Sequence, residues 1–188
     1  MSTPLRIGLL GFGTVGTGVA SLLRTNGERI AARAGGPLEI ARVLVRNPDK
    51  PRPIEYPREW LTTDPYQVLH DPRIDVVVEV MGGIEPARTY VLEALSRRKA
   101  VVTANKELLA KHGPELLEAA ARYEVDLRFE ASVAGGIPII KPLQESLAGN
   151  RIQRLMGIIN GTTNYVLTKM AAEGREFASV LAEAQRLG

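Results

Sequence analysis

Leu5-Arg6-Ile7-Gly8-Leu9-Leu10 runs directly into Gly11-Phe12-Gly13-Thr14-Val15-Gly16. A short apolar run that ends in G-x-G-x-x-G predicts a strand and a tight turn. Thr17, Gly18, Val19, Ala20 and Leu22 then continue as a small-residue helix. This is the setting that a dinucleotide-binding loop requires. Gly11 lets the chain turn sharply, and Gly13 leaves room for a pyrophosphate to approach the backbone. Gly16 lets the helix pack closely on its strand. The helix directs its first N–H groups and the positive end of its dipole at the phosphates. G-x-G-x-x-G alone is a weak signal, because glycine-rich turns are common. The flanking strand and helix carry the reading.

The same alternation continues along the chain. The helix from Thr14 to Ala34 is expected to stop at Gly35-Gly36-Pro37, and Leu38 to Val45 reads as a second strand. A proline-rich loop follows from Asn47 to Pro53. Pro65 to His70 reads as a short helix with Asp64 as its N-cap. Ile74 to Val80 is a buried strand ending in Gly82-Gly83, and Pro86 opens the next helix. Ala100 to Thr103 is a strand. Lys106 to Tyr123 is a helix with a break expected at Gly113-Pro114, and Val125 to Glu130 is a fifth strand. Strands alternating with helices imply parallel crossovers, hence an α/β, Rossmann-like, doubly wound parallel sheet over residues 1–130.

After Glu130 the texture changes. Ala131 to Pro138 is a small-residue loop, followed by a helix to about Ala148 and a stop at Gly149-Asn150. Arg151 to Ile159 alternates like a strand. Asn160-Gly161-Thr162-Thr163-Asn164 caps one more helix, and a last helix runs from Glu176 to Leu187. Residues 131–188 read as the opening elements of a second α/β domain, since one strand and three helices cannot bury a sheet of their own.

Composition narrows the function. The 188 residues carry a net charge of +3 and no cysteine. Disulfides, thiolate metal sites and cysteine nucleophiles are thereby excluded. The basic residues are scattered without aromatic interleaving, so nucleic acid is not an expected partner. No apolar run is long enough for a bilayer, and the N-terminus lacks a signal-peptide pattern, so no membrane and a cytoplasmic setting are expected.

Four places carry candidate chemistry. The second strand ends Val45-Arg46-Asn47, where a carboxylate would serve the ribose of NAD. A guanidinium at Arg46 suits the 2′-phosphate of NADP, while the nearby Asp49 leaves NAD open. Lys106, in Thr103-Ala104-Asn105-Lys106-Glu107, follows the fourth strand where a doubly wound sheet binds its ligands. Lys106 could be an ordinary first-turn helix residue, but a cation there opposes the dipole, which makes it a functional candidate. Glu130 and the loop Val133 to Ile137 could aim oxygens at a hard cation, or simply form a tight interdomain turn. Tyr165 and Lys169 have the Y-x-x-x-K spacing of short-chain dehydrogenases. That family's glycine loop is absent, so the pair reads as coincidence, with Tyr165 partly in a core. His70 and His112 are isolated and receive no role, and Trp60 reads as packing.

Four segments together resemble one family: Gly8 to Gly16, Thr103 to Glu107, Phe129 to Pro138 and Gly157 to Tyr165. The chain resembles homoserine dehydrogenases throughout its length. The resemblance implies NAD(P)-dependent interconversion of L-homoserine and L-aspartate 4-semialdehyde, in the biosynthesis of threonine, methionine and isoleucine. It implies a nucleotide-binding domain followed by a catalytic and dimerisation domain, working as a homodimer. It places Phe12, Thr14 and Val15 in the cofactor loop, Arg46 by the 2′-phosphate, Lys106 near cofactor and substrate, and Gly188 at the cofactor's edge. It assigns Glu130, Val133, Gly135 and Ile137 to a sodium site. The family's acidic substrate motif and its proton-donor lysine fall beyond Gly188. The chain is therefore expected to be an N-terminal portion, and a non-catalytic NAD(P)-binding module is the alternative reading.

Overall fold

β1, Leu5–Leu10, is the central strand of a six-stranded parallel sheet. It pairs with β2, Leu38–Leu44, on one side, in a register that shifts between Ile7 and Gly8. On the other side it pairs with β4, Val76–Glu79. β3, Leu61–Thr62, extends the sheet beyond β2, while β5, Ala100–Thr103, and β6, Leu127–Arg128, extend it beyond β4. The order β3-β2-β1-β4-β5-β6 reverses direction between β1 and β4. That is the Rossmann-like, doubly wound arrangement, with its switch point beside the glycine loop. The computed structural model describes residues 3–158 and 160–187.

Period-two alternation along the strands separates the core into two faces. Leu10, Leu44, Val77 and Val101 pack on one face with α2, Tyr66–Leu69, α3, Ala87–Ser96, and α4, Lys106–Tyr123. Their neighbours Leu9 and Val43 point to the other face, with Phe12 and with Ala20 of α1, Thr14–Ala34. Every strand residue in these two sets is buried. At the amino edge of β5, buried Lys99 donates to the carbonyls of Asp71 (2.6 Å) and Ile74 (2.7 Å). Burial lowers the Lys99 pKa, the effect expected when an ammonium leaves water.

The chain divides into two compact units, up to Gly135 and from Gly136. In the second, α5, Gly161–Glu173, and α6, Phe177–Leu187, enclose a small cluster of Val166, Val180 and Ala184. Asn160 caps α5 by accepting from the Thr163 N–H at 2.8 Å. Tyr165 bonds through its hydroxyl to Glu183, and Lys169 pairs with Glu173 at 2.6 Å. Both groups of the Y-x-x-x-K pair are thus engaged with carboxylates of the second unit.

Four expectations are corrected. α4 passes through Pro114 without a break. Leu108 and Leu116 are buried on either side of it, while Ala110, whose carbonyl loses its partner, is exposed to water. Packing of that face outweighs the roughly 3 kcal/mol cost of an interior proline. The fifth expected strand shrinks to Leu127–Arg128, because Glu130 already belongs to a 3₁₀ turn, Glu130–Ser132. β3 was not foreseen, since two residues carry no period. In the second unit, the expected helix up to Ala148 is a π-helical turn, Pro142–Ser146. Residues 151–158 form no strand and are exposed. A strand needs a neighbour to satisfy its N–H and C=O groups, and the described residues of this unit contain none.

Candidate functional site

Because all six strands are parallel, the segments leaving their carboxyl ends share one edge of the sheet. Gly11 follows β1, Arg46 follows β2, Val80 to Gly83 follow β4, Lys106 follows β5 and Glu130 follows β6. The topology therefore brings the first-unit candidates to the edge where such sheets bind their ligands.

The glycine loop is built by close packing. Gly11 has φ +104°, and its N–H donates to the Leu44 carbonyl at 3.0 Å. A Cβ on Gly16 would lie 2.3 Å from the Gly11 carbonyl oxygen, whereas a Cβ on Gly13 would meet nothing within 4 Å. α1 starts at Gly13 without a side-chain cap and without an acidic residue in its first turn. Its first N–H groups therefore carry no side-chain cap, and no acidic side chain of the first turn offsets the dipole. Thr14 and Val15 are exposed beside it. Phe12 differs: its ring is buried, edge-on to Tyr56 at 5.2 Å.

The loop after β2 is organised by a residue that sequence reasoning passed over. Arg52 donates to the carbonyls of Phe12 (3.3 Å), Pro48 (3.3 Å), Lys50 (2.8 Å) and Asn47 (3.0 Å). Its guanidinium also lies 5.3 Å from the Phe12 ring centre. It therefore staples the segment carrying Arg46 to the glycine loop. Arg46 is exposed, with no side-chain partner among the described residues. Asp49 pairs with Arg58 at 2.6 Å. The only sequence signal for Arg52 was its place in a proline-rich loop, where a long donor can collect free carbonyls.

Under the loops after β4 and β5 lies Glu79, completely buried. One carboxylate oxygen accepts from the Met81 N–H at 2.8 Å and from Asn105 Nδ2 at 3.5 Å. The other accepts from the Thr103 hydroxyl at 2.6 Å. Thr103 Oγ1 in turn accepts from the Asn105 N–H at 3.0 Å. Asn105 donates to the Gly83 carbonyl at 2.6 Å and caps α4 by accepting from the Leu108 N–H at 3.1 Å. Lys106, the first residue of α4, is exposed and has no side-chain partner among the described residues. Glu79 was also missed from sequence. A lone carboxylate in Val76-Val77-Val78-Glu79-Val80 was the available signal, since a buried acid needs dedicated partners.

Glu130 opens its 3₁₀ turn, and Ser132 Oγ donates to the Thr103 carbonyl at 2.9 Å. Ala134 and Gly135 are both left-handed, at φ 56° and 61°. Glu130, Val133 and Gly135 belong to the first unit and Ile137 to the second. Gly188 lies outside the described residues.

Residues 11–130 match the family model described as "Homoserine dehydrogenase, NAD binding domain", and residues 138–188 match "Homoserine dehydrogenase". The chain belongs to the homoserine dehydrogenase family. It is 49% identical over 184 residues to homoserine dehydrogenase of Bacillus subtilis, covering 98% of this chain and 42% of that protein. The crystal structure of a homoserine dehydrogenase from Thiobacillus denitrificans superposes with a TM-score of 0.89 at 51% identity, covering 99% of this chain and 43% of that one. A hyperthermophilic archaeal homoserine dehydrogenase in complex with NADPH matches with a TM-score of 0.81 at 25% identity, covering 99% and 62%. The chain thus spans about two fifths of the length of the curated homoserine dehydrogenase from Bacillus subtilis. No helix of the described residues is long and apolar enough to cross a membrane.

Proposed function

We propose that the first unit binds NADP(H) across the β1/β4 switch point, and that the whole protein interconverts L-homoserine and L-aspartate 4-semialdehyde. The observation that carries this reading is the uncapped, acid-free start of α1 behind an open Gly13. These features fit a pyrophosphate: free backbone donors, a favourable dipole and no Cβ in the way. Phe12, Thr14 and Val15 then form the cofactor loop with Gly11, Gly13 and Gly16. Arg46 is the partner for a 2′-phosphate. Its freedom from ion pairs favours NADP, and the engagement of Asp49 with Arg58 leaves the ribose less well served in NAD.

When bound, the nicotinamide supplies hydride transfer to and from the alcohol carbon. The chain's own residues bind, orient and polarise. Lys106 offers an unpaired ammonium at the same edge of the sheet, suited to holding the substrate oxygen or the cofactor. Holding that oxygen as a cation and accepting its proton require opposite charge states, so the proton-transfer group is assigned elsewhere in the whole protein. A sodium ion at Glu130, Val133, Gly135 and Ile137, a homodimer and a cytoplasmic setting belong to the same proposal. For the ion, the support is donor chemistry: one carboxylate and backbone carbonyls around a left-handed turn suit a hard cation. A calorimetric titration of the chain with NADPH and NADH tests the reading. Saturable binding with preference for NADPH is expected, and absence of binding to both overturns it.

A further inference from the structure

Glu79 is a buried acid that the proposed chemistry does not use. It accepts only from donors: the Met81 N–H, the Thr103 hydroxyl and the Asn105 side-chain amide. Thr103 Oγ1 accepts from the Asn105 N–H and donates its single proton to Glu79. The arrangement therefore demands a group at position 79 that accepts on both oxygens. Glu79 of β4 and Thr103 of β5 are direct cross-strand partners.

The donors belong to the two segments that leave this edge. Met81 starts the turn through Gly82 and Gly83, which have φ +75° and +72°. Asn105 ties the Gly83 carbonyl to the first turn of α4, where Lys106 sits. Glu79 thus joins both segments through one carboxylate. In a sheet with this switch point, the nicotinamide half of a dinucleotide lies over β4 and β5, and the adenosine half over β1 and β2.

Resting on the dinucleotide reading above, we infer that Glu79 is a positioning residue for the nicotinamide half of the site. It fixes the 81–83 backbone and Lys106 through Thr103 and Asn105, without touching ligand. Glu79→Gln keeps shape but places an NH₂ group against donors. Buried donors left without acceptors are costly, so the two segments move apart.

The test is calorimetric titration of the 188-residue chain with NADPH and with adenosine 2′,5′-bisphosphate, which lacks nicotinamide. Glu79→Gln and Thr103→Val are expected to weaken NADPH at least about tenfold. Both should leave the bisphosphate within about twofold, because Arg46 and the glycine loop are untouched. Thr103→Ser, which keeps the hydroxyl, should retain NADPH binding. The Thr103 pair decides the matter if Glu79→Gln does not fold. Equal weakening of both ligands, or unchanged NADPH affinity beside a lowered unfolding temperature, overturns the inference. A wild-type chain that binds neither ligand overturns both this inference and the dinucleotide reading.

Discussion

A Cβ at Gly16 would stand 2.3 Å from the carbonyl oxygen of Gly11. The two glycines of the loop are thus in contact with each other, and the contact is backbone. Gly11 cannot yield cheaply. Its φ is +104°, its N–H is bonded to Leu44, and a Cβ on it would lie 3.0 Å from the Val80 carbonyl oxygen.

Gly16→Ala is therefore expected to destabilise the fold by about 1–3 kcal/mol, the usual cost of forcing extra atoms into a packed site. Urea denaturation of wild type and variant measures it. An unchanged midpoint and slope would mean that the start of α1 can slide away from the loop.

Arg46→Ala is expected to weaken NADP more than NAD, by about 1.5–3 kcal/mol if one charge-assisted hydrogen bond is lost. Paired calorimetric titrations read the difference. Equal losses for the two cofactors would remove Arg46 from the 2′-phosphate site.

Acid should unfold the chain partly through Asp71. Hydrogen bonds from Arg73 hold its pKa at about 2, below the ordinary value of 3.8. A depressed folded-state pKa contributes stability that is fully present above the unfolded value. That stability is lost as pH falls through about 4 towards 2. The Arg73 side chain that holds it is 63% exposed, so solvent screens part of this contribution. Wild type should exceed Asp71→Asn by about 1 kcal/mol near pH 6 after screening, and the gap should close towards pH 2. Denaturation curves across that range test the sign, and a gap that widens in acid contradicts it.

How much of this was legible beforehand depended on whether a local pattern determined the outcome. The G-x-G-x-x-G loop and the polar cap of α5 at Asn160 were readable, because turn and cap chemistry acts over a few residues. Asn160 caps α5, whereas the N-cap of α2 is Pro65 and not the expected Asp64, which accepts from the Tyr66 N–H at 2.9 Å from one position further out. Lys106 and Arg46 were readable as positions, since parallel topology sends every strand's carboxyl end to one edge. Pro114 misled, because a local penalty was outweighed by burial of Leu108 and Leu116, which only the tertiary fold supplies. Residues 151–158 misled in the opposite way: they alternate correctly, but alternation does not create a pairing partner. Arg52 and Glu79 left only weak signals, because their partners are backbone groups, or residues as far as 40 positions away.

The most direct test of the central claim is a calorimetric titration of wild type and Gly13→Val with NADPH, beside their denaturation curves. A side chain at Gly13 enters space that is open in the protein, so the variant should keep its stability to within about 1 kcal/mol. The same side chain would occupy the place of the pyrophosphate, so affinity should fall at least about tenfold. A Gly13→Val chain that binds NADPH as tightly as wild type would contradict the assignment of this loop as the dinucleotide site.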